Sequence, residues 1–248
     1  RKLYKADPYA FHAEMRPGTA SKVADISYKW KDAKWMEERK AKDTNKMPMS
    51  IYEVHPGSWK RHPHEEDEDG FYTYEELAVE LVKYVKEMGY THVELMGIAE
   101  HPFDGSWGYQ ASGYYSVTSR YGNPTEFADL VNAAHKAGIG IIIDMVPVHF
   151  VKDAHGLRLF DGEPLYEYQK ASDAESQWGT NNFDLWSEEV RSFLMSAAAF
   201  WCGVYHVDGI RIDAVSNLIY WGGNRDRGVN EGSVIFMKRM NYYLSKEF

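Results

Sequence analysis

Cysteine is nearly absent: Cys202 is the only one in 248 residues. An internal disulfide is excluded, and a reducing, cytoplasmic compartment suits the chain. Cys202 lies in the apolar run FLMSAAAFWC, where a buried structural thiol is expected rather than a nucleophile. Long hydrophobic runs are also missing. No stretch of about eighteen apolar residues occurs, so no membrane span is expected. The opening RKLYKADPYA has no signal-peptide pattern and no initiator Met, as expected of a piece of a longer protein. Positive charge is scarce: 28 Lys and Arg stand against 37 Asp and Glu, a net charge of -9. Such a surface disfavours nucleic acid and anionic membranes, and is compatible with a neutral polar ligand.

What is present is a globular composition, 44% hydrophobic, enough for a sizeable core. The 18 Tyr and 8 Trp offer flat faces that suit a sugar cleft, although aromatics also fill cores. Residues 1–24 hold short apolar groups between prolines and a glycine, as in the tail of a β-rich module. Residues 25–48 are charge-rich with sparse apolar anchors and read as a linker or surface wrap. RHPHEEDEDG (61–70) reads as a solvated acidic loop, a better account of His62 and His64 than metal ligation.

From residue 49 the pattern becomes regular. IYEVHPGSW (51–59) is a strand and turn. YEELAVELVKYVKEMG (74–89) is an amphipathic helix with a Thr73–Glu76 capping box, Leu77, Leu81, Tyr84, Val85 and Met88 on one face, and Gly89 as its stop. HVELMGI (92–98) is a strand. NPTEFADLVNAAHKAG (123–138) is a helix capped by Asn123, with Pro124 in its first turn and a stripe of Phe127, Leu130, Val131 and Ala134. GIGIIIDMVPVHF (138–150) is continuously apolar and reads as a strand buried on both faces. Residues 188–206 are helical, GIRIDAV (209–215) is the fourth strand, and 234–248 begin another helix. Alternating strands and helices imply a parallel sheet. The long segments follow strands rather than helices, as in a (β/α)8 barrel whose active site lies at the strand C-termini. No Gly-rich phosphate turn follows the first strand, which argues against a doubly wound dinucleotide fold. The expected fold is therefore α/β, about four βα units, half of a TIM barrel.

Polar residues cluster where these strands end: Tyr109 in WGYQ, Asp144 and His149 in DMVPVH, Arg211 and Asp213 in GIRIDAV. Alternation places Arg211 and Asp213 on one side and Ile210 and Ile212 on the other, toward helices. A guanidinium beside a carboxylate favours its ionised form. An ionised carboxylate fixed in a cleft is what attack at an anomeric carbon requires. A structural ion pair is the alternative for Arg211 and Asp213, a capped turn for Asp144, a satisfied core histidine for His149.

DMVPVH (144–149) and GIRIDAVSN (209–217) resemble the first two signature regions of the α-amylase superfamily. KADPYAFHAEMRPGTAS (5–21), YEVHPGSW (52–59), ELMGIAEHPFDGSWGYQASGYYSVTSRYG (94–122), DAHGLRLFDGEPLYEY (153–168) and WGTNNFDLWSEEVRSFLMSAAAFW (178–201) are similar to segments of its branching-enzyme family. The resemblance covers essentially the whole chain. It implies an enzyme that cleaves an α-1,4 bond in a glucan and transfers the segment to a 6-hydroxyl as an α-1,6 branch, with retention. It implies Asp213 as nucleophile, Arg211 as the group that keeps it ionised and oriented, Asp144 and His149 as holders of the scaffold and the sugar hydroxyls, and Tyr109 as a stacking ring. Trp107 and Gln110 flank Tyr109 as further candidate contacts. Residues 1–24 match the end of a β-sandwich module, 25–48 a linker, and 49–248 the first half of the catalytic barrel.

The family's acid/base Glu and a later His-Asp pair have no counterpart here. Glu231, in VNEGS, follows strand four and does not match. The chain is thus expected to be an internal piece, inactive alone, with α-1,4-glucan as the substrate of the whole. Val148 stands where many superfamily members have a calcium-binding Asn, so no metal or cofactor is expected. An α-glucan hydrolase of the same superfamily and a non-catalytic glucan-binding protein are the alternatives.

Overall fold

Four short strands build the sheet that places every candidate residue. The computed structural model describes residues 2–63 and 69–248. His64 and residues 65–68 of the expected acidic loop lie outside the described residues. Strands β1 (Ile51–Val54), β2 (His92–Leu95), β3 (Gly140–Met145) and β4 (Gly209–Ile212) pair in parallel, in the spatial order 1-2-3-4. Between and after them run helices α1 (Tyr74–Glu87), α2 (Pro124–Ala137), α3 (Glu188–Val204) and α4 (Glu231–Glu247). Sequential order with one helix per crossover is the arrangement of consecutive units in a (β/α)8 barrel.

Helix starts follow local chemistry. Thr73 and Asn123 each accept from the backbone three residues on, and Glu76 and Glu126 reach back to the cap N–H. These reciprocal bonds satisfy donors that a helix start leaves open. Gly138 closes α2 in the left-handed region at φ 80. On α1, Leu77, Leu81 and Val85 are buried as expected, but Tyr84 and Met88 are exposed. Tyr74 and Val82 take their place inside.

The helix-facing side of the sheet carries Val93, Leu95, Ile141 and Ile143, each at most 1% exposed, against Leu77, Phe127 and Val131. Each such burial contributes roughly 1.5–3 kcal/mol. On the opposite side Gly140 and Asp144 are buried and Ile142 half-buried, so β3 is covered on both faces, as expected. The stretch 138–150 is nonetheless not one strand. It leaves the sheet after Met145, because Pro147 has no N–H to offer a ladder, and His149–Phe150 pairs instead with Asn181–Asn182.

At the N-terminal ends of the strands, residues 25–48 carry the helix Ala33–Ala41. His135 of α2 lies with its ring nitrogens 2.8 Å from Asp32 and 2.9 Å from Asp208. Arg39 and Trp35 also donate to Asp208, which precedes β4. Residues 12–13 and 21–22 form a two-stranded antiparallel pair. Ser119 Oγ donates to Ala13 O at 2.6 Å, holding that pair beside the loop after β2.

Candidate active site

Strand alternation and register bring the charged residues together. Arg211 of β4 stands beside Asp144 of β3, with β2 next in line. β4 ends at Ile212, so Asp213 lies just off its tip rather than within it. There the chain turns sharply, with Ala214 at φ 49. Arg211 Nη1 donates to Asp213 Oδ1 at 2.8 Å and to Asp144 Oδ2 at 3.3 Å. Tyr109 Oη donates to the same Asp144 Oδ2 at 2.8 Å. The Arg211 guanidinium also lies over the Tyr109 ring, 5.8 Å from its centre, where the ring quadrupole favours a cation.

Tyr109 reaches Asp144 because two glycines let backbones touch. Gly97, just past β2, and Gly108 both have positive φ, at 66 and 87. A Cβ on Gly108 would stand 2.2 Å from Gly97 Cα. No side chain fits between them.

Burial sets the electrostatics. Asp144 has a side chain only 3% exposed. Burial pushes its carboxyl up to about 7, against the pull of Tyr109 and Arg211. His149 is buried with Nδ1 lacking a hydrogen-bond partner among the described residues, and its ring lies 4.9 Å from that of Trp178. Burial depresses its imidazole to about 4, against the opposing charge of Asp213. A histidine whose folded value lies below its unfolded value, about 6.5, stabilises the fold above that pH. The contribution is lost as the pH falls from about 6.5 toward 4, up to about 3 kcal/mol. His149→Gln is expected to flatten the pH dependence of urea stability across that window. Parallel curves for the two proteins would contradict this.

The remaining candidates are less engaged. Trp107 is exposed and Gln110 half-buried on the Tyr109 loop. Among the described residues, neither hydrogen-bonds to Asp144, Arg211 or Asp213. Glu231 opens α4 and is not part of the cluster. Val148 is buried in the core around Phe183. Cys202 is buried, which pushes its thiol up to about 11. No cluster of three or more His, Cys, Asp or Glu among the described residues is placed to hold a metal ion. One member of the site escaped the sequence reading. Glu94 on β2 brings Oε1 to 3.9 Å from Arg211 Nε. Its signal was the pattern noticed at Arg211, a charge inside an apolar strand.

An Alpha-amylase family model, described as the alpha amylase catalytic domain, matches residues 77–159. The chain is 54% identical over 244 residues to the 1,4-alpha-glucan branching enzyme GlgB of Bacillus caldolyticus, covering 97% of this chain and 36% of that protein. The GlgB of Butyrivibrio fibrisolvens is 55% identical over 222 residues, with 89% of this chain and 35% of the relative covered. That of Bacillus subtilis is 49% identical across 98% of this chain and 39% of the relative. A solved structure from Salmonella typhimurium, assigned as an alpha amylase, superposes with a TM-score of 0.73 at 22% identity, over 98% of this chain and 36% of that one. The chain thus spans little more than a third of the length of the curated relatives it matches. It belongs to the 1,4-α-glucan branching enzyme family of the α-amylase superfamily.

Proposed function

We propose that these residues form the nucleophile-bearing part of a 1,4-α-glucan branching transglycosylase. The single observation that carries the reading is the joined cluster of Asp213, Arg211, Asp144 and Tyr109 at successive strand ends. In this reading Arg211 holds Asp213 Oδ1, and Asp213 Oδ2 attacks the anomeric carbon of an α-1,4-linked glucose. The leaving glucan departs and a covalent glycosyl-enzyme forms. A 6-hydroxyl of an acceptor chain then displaces Asp213, restoring the configuration. Tyr109, its hydroxyl anchored on Asp144, presents its ring to the sugar, with Trp107 and Gln110 beside it. His149 is kept neutral by burial and its Nδ1 is enclosed by protein, so a sugar hydroxyl would meet the ring at Nε2. Residues 1–24 act as the end of a β-sandwich module and 25–48 as the segment joining it to the barrel.

A retaining mechanism also needs a proton donor across the scissile bond from the nucleophile. Glu94 and Asp144 sit around Arg211 together with Asp213 and do not meet that need. The 248 residues alone are therefore inactive in this reading, and the whole protein acts on α-1,4-glucan in a reducing cytoplasm. Incubation of the whole protein with amylose is the test. New α-1,6 linkages with little gain in reducing ends are expected. Reducing ends released without new branches would establish a hydrolase and overturn the proposal.

A further inference from the structure

The face that carries Arg211 and Asp144 holds another carboxyl group, which the reaction above leaves without a task. Glu94 stands in register with Glu53 of β1 and Ile142 of β3. Its carboxyl approaches Arg211 Nε at 3.9 Å, on the same face of the sheet as Asp144, whose Oδ2 lies 3.3 Å from Nη1 of the same guanidinium. Two carboxyl groups gathered around one guanidinium repel when both are ionised. One proton between them turns the repulsion into a bond.

Asp144 supplies an independent observation. Its Oδ2 accepts from both Tyr109 and Arg211, while its Oδ1 is buried with no donor. A buried acceptor left open is destabilising unless a proton or donor reaches it. Charge balance points the same way. One guanidinium serves Glu94, Asp144 and Asp213, so full ionisation would leave negative charge in excess around a single cation. We infer that Glu94 and Asp144 share one proton, and that Glu94 is thereby a positioning residue that orients Asp144, and through it Tyr109 and Arg211, around Asp213. The inference rests on the branching-enzyme reading for what the site does.

The charged and titratable groups around the pair are Glu53, in register with Glu94 on β1, Tyr109 after β2, and Arg211 and Asp213 at β4; His149 faces Asp213. The upward shift of the Asp144 carboxyl, caused first by burial and reinforced by Glu94, agrees with a proton retained there near neutral pH.

The test is Glu94→Gln in the whole protein, with kcat and KM followed across pH. An amide donates to Asp144 without titrating. The alkaline limb of kcat is therefore expected to move up by about one pH unit or more, with KM changed less than about twofold. Loss of a negative charge with no shared proton would lower the pKa of a nearby acid and move that limb down. A limb that stays in place or moves down overturns the inference. Glu94→Ala, which leaves nothing where the proton sat, is expected to lose about tenfold more kcat than the Gln variant. Equal losses in the two would also overturn it, and if the Ala variant does not fold, the limb of the Gln variant decides. Asp213→Asn assayed alongside separates the two readings. An active Asp213→Asn defeats the nucleophile assignment; an inactive one with an unmoved Glu94→Gln limb defeats only the shared proton.

Discussion

Asp213→Asn in the whole protein is expected to lower kcat for branch formation by about 10⁴-fold or more, while the melting temperature moves little. The amide keeps the shape of the carboxylate, and its oxygen still accepts from Arg211 Nη1 at the position Oδ1 now holds. It lacks the negative charge and nucleophilicity that a covalent glycosyl-enzyme requires, and the lost step accounts for roughly 5 kcal/mol or more of barrier. The folding cost is small because the bond partner is retained and the Arg211 side chain is 39% exposed. Ion pairs open to solvent contribute about 0–1 kcal/mol. Activity within tenfold of the parent would sink the nucleophile assignment. A large drop in melting temperature would show that the ion pair is structural instead.

Gly108→Val should disrupt both fold and activity, without touching a reacting group. Its Cβ would stand 2.2 Å from Gly97 Cα, and the two other nearest atoms are also Gly97 backbone. Backbone cannot rotate aside as a flexible side chain does. The residue at 108 also has φ 87, which a β-branched side chain adopts only with strain. Relief requires moving either the end of β2 or the Tyr109 loop, and either breaks the Tyr109–Asp144 bond. A loss of about 3–5 kcal/mol in urea unfolding and at least about a hundredfold in kcat/KM are expected. Gly179 is the control. It has φ 74 with nothing within 4 Å of a built Cβ, so Gly179→Val carries the strain without the collision. Equal destabilisation of the two variants would show that close approach of Gly97 and Gly108 does not matter.

The boundaries that the sequence marked well are those set by neighbours three or four residues apart. The Thr73–Glu76 and Asn123–Glu126 bonds close within one helical turn, and so leave a local trace. The alternation of Arg211 and Asp213 against Ile210 and Ile212 was readable for the same reason. Misjudged features depended on distant partners. Tyr84 and Met88 fall on the apolar stripe of α1, yet its turn against the sheet buries Tyr74 and Val82 instead. In the apolar run 138–150 Pro147 marks a break, but nothing local announces that His149 and Phe150 would pair with Asn181 and Asn182. Asp32, His135 and Asp208 are more than 70 residues apart in each pairing, and no local pattern announces such a meeting.

The amino-acid sequence by itself determined the alternation of strands and helices, the helix caps, and which charges lie near strand ends, because each follows from residue periodicity and short-range hydrogen bonding. Only the tertiary structure decided which of those charges meet. Arg211 is shared among Glu94, Asp144 and Asp213 because parallel register aligns three strands side by side. Tyr109 joins them because Gly97 and Gly108 allow two backbones to touch. Both are contacts between segments far apart in the chain, settled by packing rather than by local preference.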